Sequence, residues 1–445
     1  MINIEEKYFT AYETIKNKTK GLNNSVEYPA LGFTSNLDVV CDFRIDIFNR
    51  LLKKHFPDGR LEEMHAVKYI KNMQDFLCAI VFFARQGIGG EVDICDMEII
   101  TNIFETEYAM GGTATQAALA LSAIDLASLV HLTDDSSPVC DILNTSNIYI
   151  ANAQGELVHA NNIRQTNEQE VHFIVQFKKG DIIELNKEQI VIPSSNRLIV
   201  TKITVNAVLP LSQGYFDFIE NHSKKISSHV LSSFNAVENE QILRDRLDYI
   251  KKHLAIFRKN NEKGIVFFED AHYHNKNIRK ICLETIYNEV DIVSLNEEEL
   301  EYTLKMEQYD VDIRDIIACV DGMCRIKQVY GIKKGVIVHT KDYSMYVGDA
   351  LEVDIEAGLI YGNMLATTKA LIGTYGSIDD IHAILKLPLS DQGIKYKKII
   401  DDKNHESKCT AQKIVIVPTK YIEKPKYTVG LGDSFVAGVQ ICFKK

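Results

Sequence analysis

Short apolar runs at 265–268, 291–295, 335–339 and 413–417 alternate with helical stretches at 241–259, 277–289 and 297–305. Few architectures accommodate that rhythm. Strands followed by helices and then by further strands form a parallel sheet covered on both faces. Earlier in the chain, Leu31-Gly32-Phe33-Thr34 leads to an expected turn at Ser35-Asn36-Leu37-Asp38. An alanine-rich helix is expected over 111–130 and a strand over 148–150. The expected class is α/β, with a mostly parallel central sheet flanked by helices and ligands at the carboxyl ends of its strands.

A different texture interrupts this pattern. Residues 171–177, the turn Lys178-Lys179-Gly180-Asp181 and residues 182–185 read as a hairpin-like pair, and 197–200 and 203–205 continue the strand character. A length of 445 residues exceeds what one core usually serves. The reading is therefore a large α/β domain (1–37, 109–155 and 201–445) carrying a smaller β-rich lid (about 38–60, 86–108 and 156–200). Residues 390–412 are charged and poor in aliphatics, as expected of a surface excursion.

Composition narrows the partners. A net charge of −11 argues against nucleic acid or an anionic membrane surface. No apolar run approaches the roughly 20 residues of a membrane span, and the start of the chain is acidic and mixed. Nine cysteines, with no Cys-x-x-Cys pair, read as reduced thiols of a cytoplasmic protein. His272-x-His274 lacks companions at metal-ligand spacing.

The chemistry concentrates near the end, at Thr428-Val429-Gly430-Leu431-Gly432-Asp433-Ser434-Phe435. Glycines let backbone N–H groups approach an anion, and a helix N-terminus adds partial positive charge. A carboxylate in the same turn can take a proton from an attacking hydroxyl. Phosphoryl transfer to an alcohol needs both functions. The same residues also describe an ordinary loop-to-helix turn with Asp433 as cap.

Other motifs carry two meanings in the same way. Asn296 and Glu299 have capping-box spacing, and a carboxylate at a strand's end also suits hydrated Mg²⁺. Asn36-x-Asp38 is either an Asx turn or a pair for sugar hydroxyls. Gly111-Gly112-Thr113 opens a helix and can bring backbone against a sugar. Lys178, Lys179 and Arg197 are a solvated turn or a phosphate clamp.

Taken in order, Asn36/Asp38, Gly111-Gly112, Arg197, Glu269, Asn296/Glu299, His339-Thr340 and Gly430-Leu431-Gly432-Asp433 resemble the ADP-dependent sugar kinases. That family holds glucokinases and 6-phosphofructokinases within the ribokinase-like superfamily. Gly-Leu-Gly-Asp, Ser-Leu-Asn-Glu-Glu-Glu, Ser-Asn-Arg-Leu-Ile-Val and Val-His-Thr-Lys-Asp-Tyr carry the resemblance, which runs from about Leu31 to the C-terminus. It implies a ribokinase-like sheet with a lid, Asp433 as base, and an anion hole of Gly430, Leu431 and Gly432. It implies Mg²⁺ organised by Asn296, Glu299 and Glu269, with ADP as the donor. Asn36, Asp38, Gly112 and Thr113 would meet the sugar, with Lys179 and Arg197 on a substrate phosphate. His339, Thr340, Tyr343 and Val429 would lie beside the nucleotide.

One departure stands out. The family's His-x-Glu becomes Phe267-Phe268-Glu269 here, so the glutamate stays and the histidine is lost. The expected function is transfer from ADP to fructose 6-phosphate, favoured by Lys178-Lys179 and Arg197, or to glucose. Glu91 lies near the region where the two branches differ. An ATP-dependent ribokinase-type kinase and a non-catalytic sugar or nucleotide sensor are the alternatives.

Overall fold

The computed structural model describes residues 3–21, 27–163, 166–403 and 412–444. Its larger sheet has ten strands. From one edge they run Lys413–Pro418, Tyr343–Gly348, Gly335–His339, Ile292–Asn296, Ile265–Glu269, Ile226–Leu231, Tyr28–Leu31, Ser128–Val130, Ile148–Ala151 and Leu157–Val158. Pairing is parallel from Gly335–His339 through to Ile148–Ala151 and antiparallel at both margins.

Alternation along one strand builds two cores. Val266 and Phe268 face the helices Glu240–Asn260, Lys276–Thr285 and Ile316–Tyr330. Ile265 and Phe267 face the helices Thr113–Ser122, Ile355–Ile372 and Leu431–Gln440. A strand buried on both faces reads as an unbroken apolar run, which is why the rhythm is so visible in the sequence. Asn239, Asn275 and Asn296 cap the helices that follow three of these strands, each accepting backbone N–H bonds.

The helix expected over 111–130 ends at Ser122, and Ser128–Val130 re-enters the sheet. Asp125 breaks the helix by adopting φ 58°, a conformation that Asp tolerates better than most residues.

A second sheet of six strands covers the carboxyl ends of the first. Its order is Tyr69–Ile70, Gly90–Ile94, Asn196–Lys202, Val171–Phe177, Asn36–Cys41, Thr106–Gly111. It has its own core, with Phe76, Ile80, Phe173, Val175 and Leu198 among its members.

Several boundaries and pairings differ from the sequence reading. Val171–Phe177 pairs with Asn196–Lys202 and Asn36–Cys41, while Ile182–Leu185 turns back on Glu188–Val191 as a separate hairpin. Adjacency in sequence implied a local hairpin, but burial of Phe173 and Val175 beside Leu198 and Val200 selects the distant partner. Asn36 and Asp38 lie on a strand rather than in an Asx turn. Residues 61–85, assigned to neither unit, carry Tyr69–Ile70 and most of the helix Met73–Gln86 of the smaller unit. Leu157–Val158 belongs to the larger sheet, and Thr106–Gly111 remains in the smaller one up to its last residue. Asp391–Lys403 is a helix whose Ile400 is buried in the core, not a loose excursion; 404–411 lie outside the described residues.

Polar residues knit the crossings between the two sheets. Ser35 Oγ donates to Asp134 O (3.0 Å) and accepts from Asp134 N–H (2.8 Å). Thr133 Oγ1 donates to Asn206 Oδ1 (2.6 Å), and Asn206 Nδ2 donates back to Ser35 O (3.2 Å). Glu170 Oε2 accepts from Thr204 N–H and Oγ1, each at 2.7 Å.

Among the described residues seven cysteines are free thiols, including Cys41, Cys140 and Cys442. Cys324 is disulfide-bonded, against the expectation of thiols throughout. Among the described residues no helix is long and apolar enough to cross a membrane.

Candidate active site

Three neighbouring strands of the larger sheet end in polar residues at one place. Glu269 lies opposite Ser294, and Asn296 lies opposite His339. The helix Leu431–Gln440 opens against these ends, with Gly430 at its N-cap at φ 66°. Only glycine suits that position: a Cβ would stand 1.8 Å from Gln116 Oε1 and 2.6 Å from Lys369 Nζ. The first N–H groups of a helix lack intrahelical partners, so this turn presents backbone donors backed by the helix dipole.

Asp433 sits in the first turn and lines a cavity of about 430 Å³ between the two sheets. Asn36, Asp38, Gly112, Thr113, Gln116 and Val429 line the same cavity. Burial pushes the Asp433 carboxyl upward, while Lys369, a hydrogen bond from Thr113 and His339 pull it back.

The strand Asn36–Cys41 supplies the wall opposite Asp433. Asn36 Nδ2 donates to Asp38 Oδ1 at 2.7 Å, and Gly111 faces Asn36 across the ladder. A Cβ on Gly111 would meet Asn36 Nδ2 at 2.0 Å, so the glycine is what lets both polar side chains lie there. Burial moves the Asp38 carboxyl up to about 6, against the pull of His172, Asn36 and Lys369. His172 is itself raised, because Glu170, Asp38 and Glu91 outweigh its burial. Partners also outweigh burial at Glu91: burial pushes it up, but His274, Thr201 and His172 bring it down to about 2.

Ile199 and Thr201 line the cavity, so Arg197 lies on the same face of its strand. Burial lowers the Arg197 guanidinium, opposed by Tyr427 and Asp38, and its Nε is buried without a partner. Lys179 behaves differently. It is exposed on the turn after Val171–Phe177, and its backbone N–H donates to Ser195 Oγ at 2.8 Å.

On the other side, Asn296 and Glu299 form a capping box: Glu299 N–H donates to Asn296 Oδ1 (2.8 Å) and Asn296 N–H to Glu299 Oε2 (2.9 Å). Burial, Asp270 and Glu269 raise the Glu299 carboxyl above the usual carboxylate range. Glu269 Oε1 meets His339 Nε2 at 3.1 Å, and its buried Oε2 has no hydrogen-bond partner. Hard oxygen donors with one buried and unclaimed suit Mg²⁺. Among the described residues no group of three or more His, Cys, Asp or Glu forms a closed cage, so such an ion would need waters and phosphate oxygens as well.

Thr340 and Tyr343 shape a hairpin rather than present free groups. Thr340 Oγ1 accepts the N–H of Asp342 and of Tyr343, each at 3.0 Å, and donates to Tyr343 O at 3.0 Å. Tyr343 is buried. His339 stands at the edge of the site, its ring 4.8 Å from that of Phe435.

Residues 28–440 match the model of the "ADP-specific Phosphofructokinase/Glucokinase conserved region". The chain belongs to the ADP-specific phosphofructokinase/glucokinase family. It is 24% identical over 451 residues to the ADP-dependent glucose/glucosamine kinase of Pyrococcus abyssi, covering 97% of this chain and 96% of that protein. It is 23% identical over 441 residues to the ADP-specific phosphofructokinase of Pyrococcus furiosus, covering 92% and 95%. Among solved structures, one titled "ADP-dependent kinase complex with fructose-6-phosphate and ADPbetaS" superimposes with a TM-score of 0.78 at 22% identity, over 99% of this chain and 98% of that one.

Against the family pattern, Phe267 is fully buried in the core shared with the helix Leu431–Gln440. The imidazole beside Glu269 here is that of His339, two strands away across Ile292–Asn296. The sequence reading passed over Gln116 and His172, which line the cavity, and Lys369, which bonds to Gln116 and Gly430. Lys369 had a visible signal: it is the only charged residue of the helix Ile355–Ile372 after Glu356. Gln116 and His172 had none, since each needs the second sheet brought over the first.

Proposed function

We propose that this ADP-dependent kinase transfers the β-phosphoryl group of ADP to a hydroxyl of an uncharged hexose, with Asp433 as general base. The observation that carries this reading is the position of Asp433, between the backbone donors of its own helix turn and the polar wall of Asn36 and Asp38. Asn36 and Asp38 hold sugar hydroxyls and orient one of them toward Asp433. Asp433 takes the proton as the hydroxyl oxygen bonds to phosphorus. The bond from phosphorus to the bridging oxygen breaks, and AMP leaves. The N–H groups of Leu431 and Gly432 cover the charge on the moving phosphoryl oxygens, a role for which fixed dipoles need no rearrangement. Bound Mg²⁺ would neutralise charge on the phosphates, and Glu269, Asn296 and Glu299 are the residues to hold it and its waters.

Charge favours a neutral acceptor. Asp38, Glu91, Asp93, Glu170, Glu238 and Asp433 line the cavity, against Lys68 among lysines and arginines. A dianionic phosphomonoester would be repelled there. The lysine clamp expected for fructose 6-phosphate gains no support, since Lys179 points to an exposed turn. Arg197 keeps the sugar phosphate as the second reading.

The six-stranded sheet acts as a lid that closes on the sugar and shields the donor from water. Its hinge is the polar seam of Ser35, Thr133, Glu170 and Asn206. Both substrates are small solutes of the cytoplasm, to which we assign the protein.

Steady-state assays with Mg²⁺, ADP or ATP, and glucose, glucosamine or fructose 6-phosphate test this directly. Turnover of glucose with ADP is expected. Faster turnover with ATP would move the protein to the ribokinase-type reading, and binding without turnover of any sugar would make it a sensor. Preference for fructose 6-phosphate would overturn the charge argument alone.

A further inference from the structure

The proposed transfer leaves Lys369 without a role. It lies 3% exposed in the helix Ile355–Ile372, most of whose residues are buried and apolar. Its Nζ donates to Gln116 Oε1 (2.5 Å), Tyr375 OH (3.2 Å) and Gly430 O (3.4 Å). It also stands 4.2 Å from the ring centroid of Tyr375 and 5.7 Å from that of Tyr427. All of these partners are neutral. A buried ammonium is costly without compensating charge, and a leucine or methionine would fill the same helix position at no such cost. The charged groups facing it are Asp433, from the helix Leu431–Gln440, and Asp38, from the strand Asn36–Cys41; the rings of Tyr375 and Tyr427 complete its titratable surroundings. Asp433 itself faces, besides Lys369, His339 from the strand Gly335–His339, which every Lys369 variant retains.

Two consequences follow from this placement. Gly430 O is the carbonyl at the N-cap of the turn that presents the anion-hole amides, and it also accepts Ser434 N–H at 3.1 Å. A bond from Lys369 to that oxygen fixes the orientation of the flanking peptide. The ammonium also offsets the mutual repulsion of two partly buried carboxylates. Burial lowers Lys369 itself to about 8 while Asp433 and Asp38 pull it up, so it carries its proton at neutral pH.

We propose that Lys369 is a positioning residue for phosphoryl transfer: its buried ammonium locks the Gly430 carbonyl beneath the anion-hole turn and keeps Asp433 a carboxylate ready to accept the sugar proton. Lys369 keeps its own proton throughout. The inference rests on the reading of Asp433 as base.

The test is the pH profile of kcat from pH 5 to 9 at saturating glucose, ADP and Mg²⁺, where Asp38 is engaged by sugar. Lys369→Met is expected to move the acid limb upward by about one pH unit, since an opposite charge nearby lowers a carboxyl by roughly 1–3 units. The KM for glucose should stay within about twofold. Lys369→Arg should return the limb toward its wild-type position. Lys369→Gln keeps a hydrogen bond to Gly430 without the charge; it should show the same limb shift and serves if the methionine variant does not fold. An unmoved acid limb in the neutral variants, with activity lost evenly at every pH, would reduce Lys369 to a packing role. Asp433→Asn, assayed alongside, separates the two readings: an active Asp433→Asn enzyme overturns the base assignment, whereas an inactive one with an unmoved limb in Lys369→Met overturns only the role of Lys369.

Discussion

Replacing Gly430 by alanine puts one methyl group where the structure leaves no room for it. Two costs can be counted. At φ 66° a residue with a Cβ carries a strain of about 1–2 kcal/mol. The new Cβ would also stand 1.8 Å from Gln116 Oε1, so the Gln116 amide must leave. It would take with it the bonds to Lys369 Nζ (2.5 Å) and Tyr375 OH (3.1 Å). The first bond involves a charge and is worth about 1.5–3 kcal/mol, the second about 1 kcal/mol. The total, about 3.5–6 kcal/mol, falls on one surface-facing turn rather than on the core. The turn is therefore expected to remodel locally while the protein stays folded. Its amides move off the phosphoryl position, and kcat falls by about 10²–10³-fold, the usual loss when an oxyanion donor is removed. The KM for the sugar should change little, because Asn36 and Asp38 lie on another sheet.

Steady-state kinetics and a thermal melt on the same preparation measure both effects. Gly180→Ala is the control. It shares the positive φ, at 91°, but a Cβ there meets nothing within 4 Å. That variant should lose about 1–2 kcal/mol of stability and keep wild-type kcat. A Gly430→Ala enzyme with wild-type kcat would refute the reasoning, because the crowded turn would then be irrelevant to the chemistry.

Asp433→Asn should lower kcat by about 10²–10⁴-fold while calorimetry still detects sugar binding; near-normal turnover would remove the residue from the base role. Glu299→Gln keeps an acceptor for the Asn296 N–H, so the helix start should survive while the Mg²⁺ concentration for half-maximal activity rises several-fold. An unchanged metal titration would leave Glu299 as a cap alone. His131 gives a stability prediction. Its Nδ1–H donates to Phe33 O at 3.0 Å and its Nε2 accepts from Ser212 N–H at 3.0 Å, an arrangement only the neutral ring can make. Burial outweighs the Phe33 bond and lowers it from 6.5 to about 4. The unfolded chain therefore binds this proton first as pH falls, and stability drops between about pH 6.5 and 4, by about 3 kcal/mol in all. Urea denaturation of wild type and His131→Gln across that window should give a shallower pH slope for the variant, and equal slopes would contradict the assignment.

The parallel sheet was readable because its strands are buried on both faces. Runs such as 265–268 are apolar at successive positions, and Asn239, Asn275 and Asn296 punctuate the helix starts. The Gly430 turn was readable too, since two glycines and an aspartate ahead of an apolar helical pattern have few local explanations. The smaller sheet was harder. Its strands come from six separate segments, and Val171–Phe177 takes partners at 196–202 and 36–41 over its immediate successor. Residues 61–85 carry a strand of two residues, too short for any periodicity to register.

Local sequence therefore determined the two-sided sheet, the capped helices and the residue types at the Gly430 turn, because each depends on neighbours a few positions away. Only the tertiary structure decided what those residues face. It set Asp433 across a cavity from Asp38, brought His339 against Glu269, left Lys179 exposed, and buried Lys369 beside Gly430. Those outcomes depend on how two sheets meet and on which charges lose water together, and burial and long-range charge balance have no spacing along the chain from which to be read.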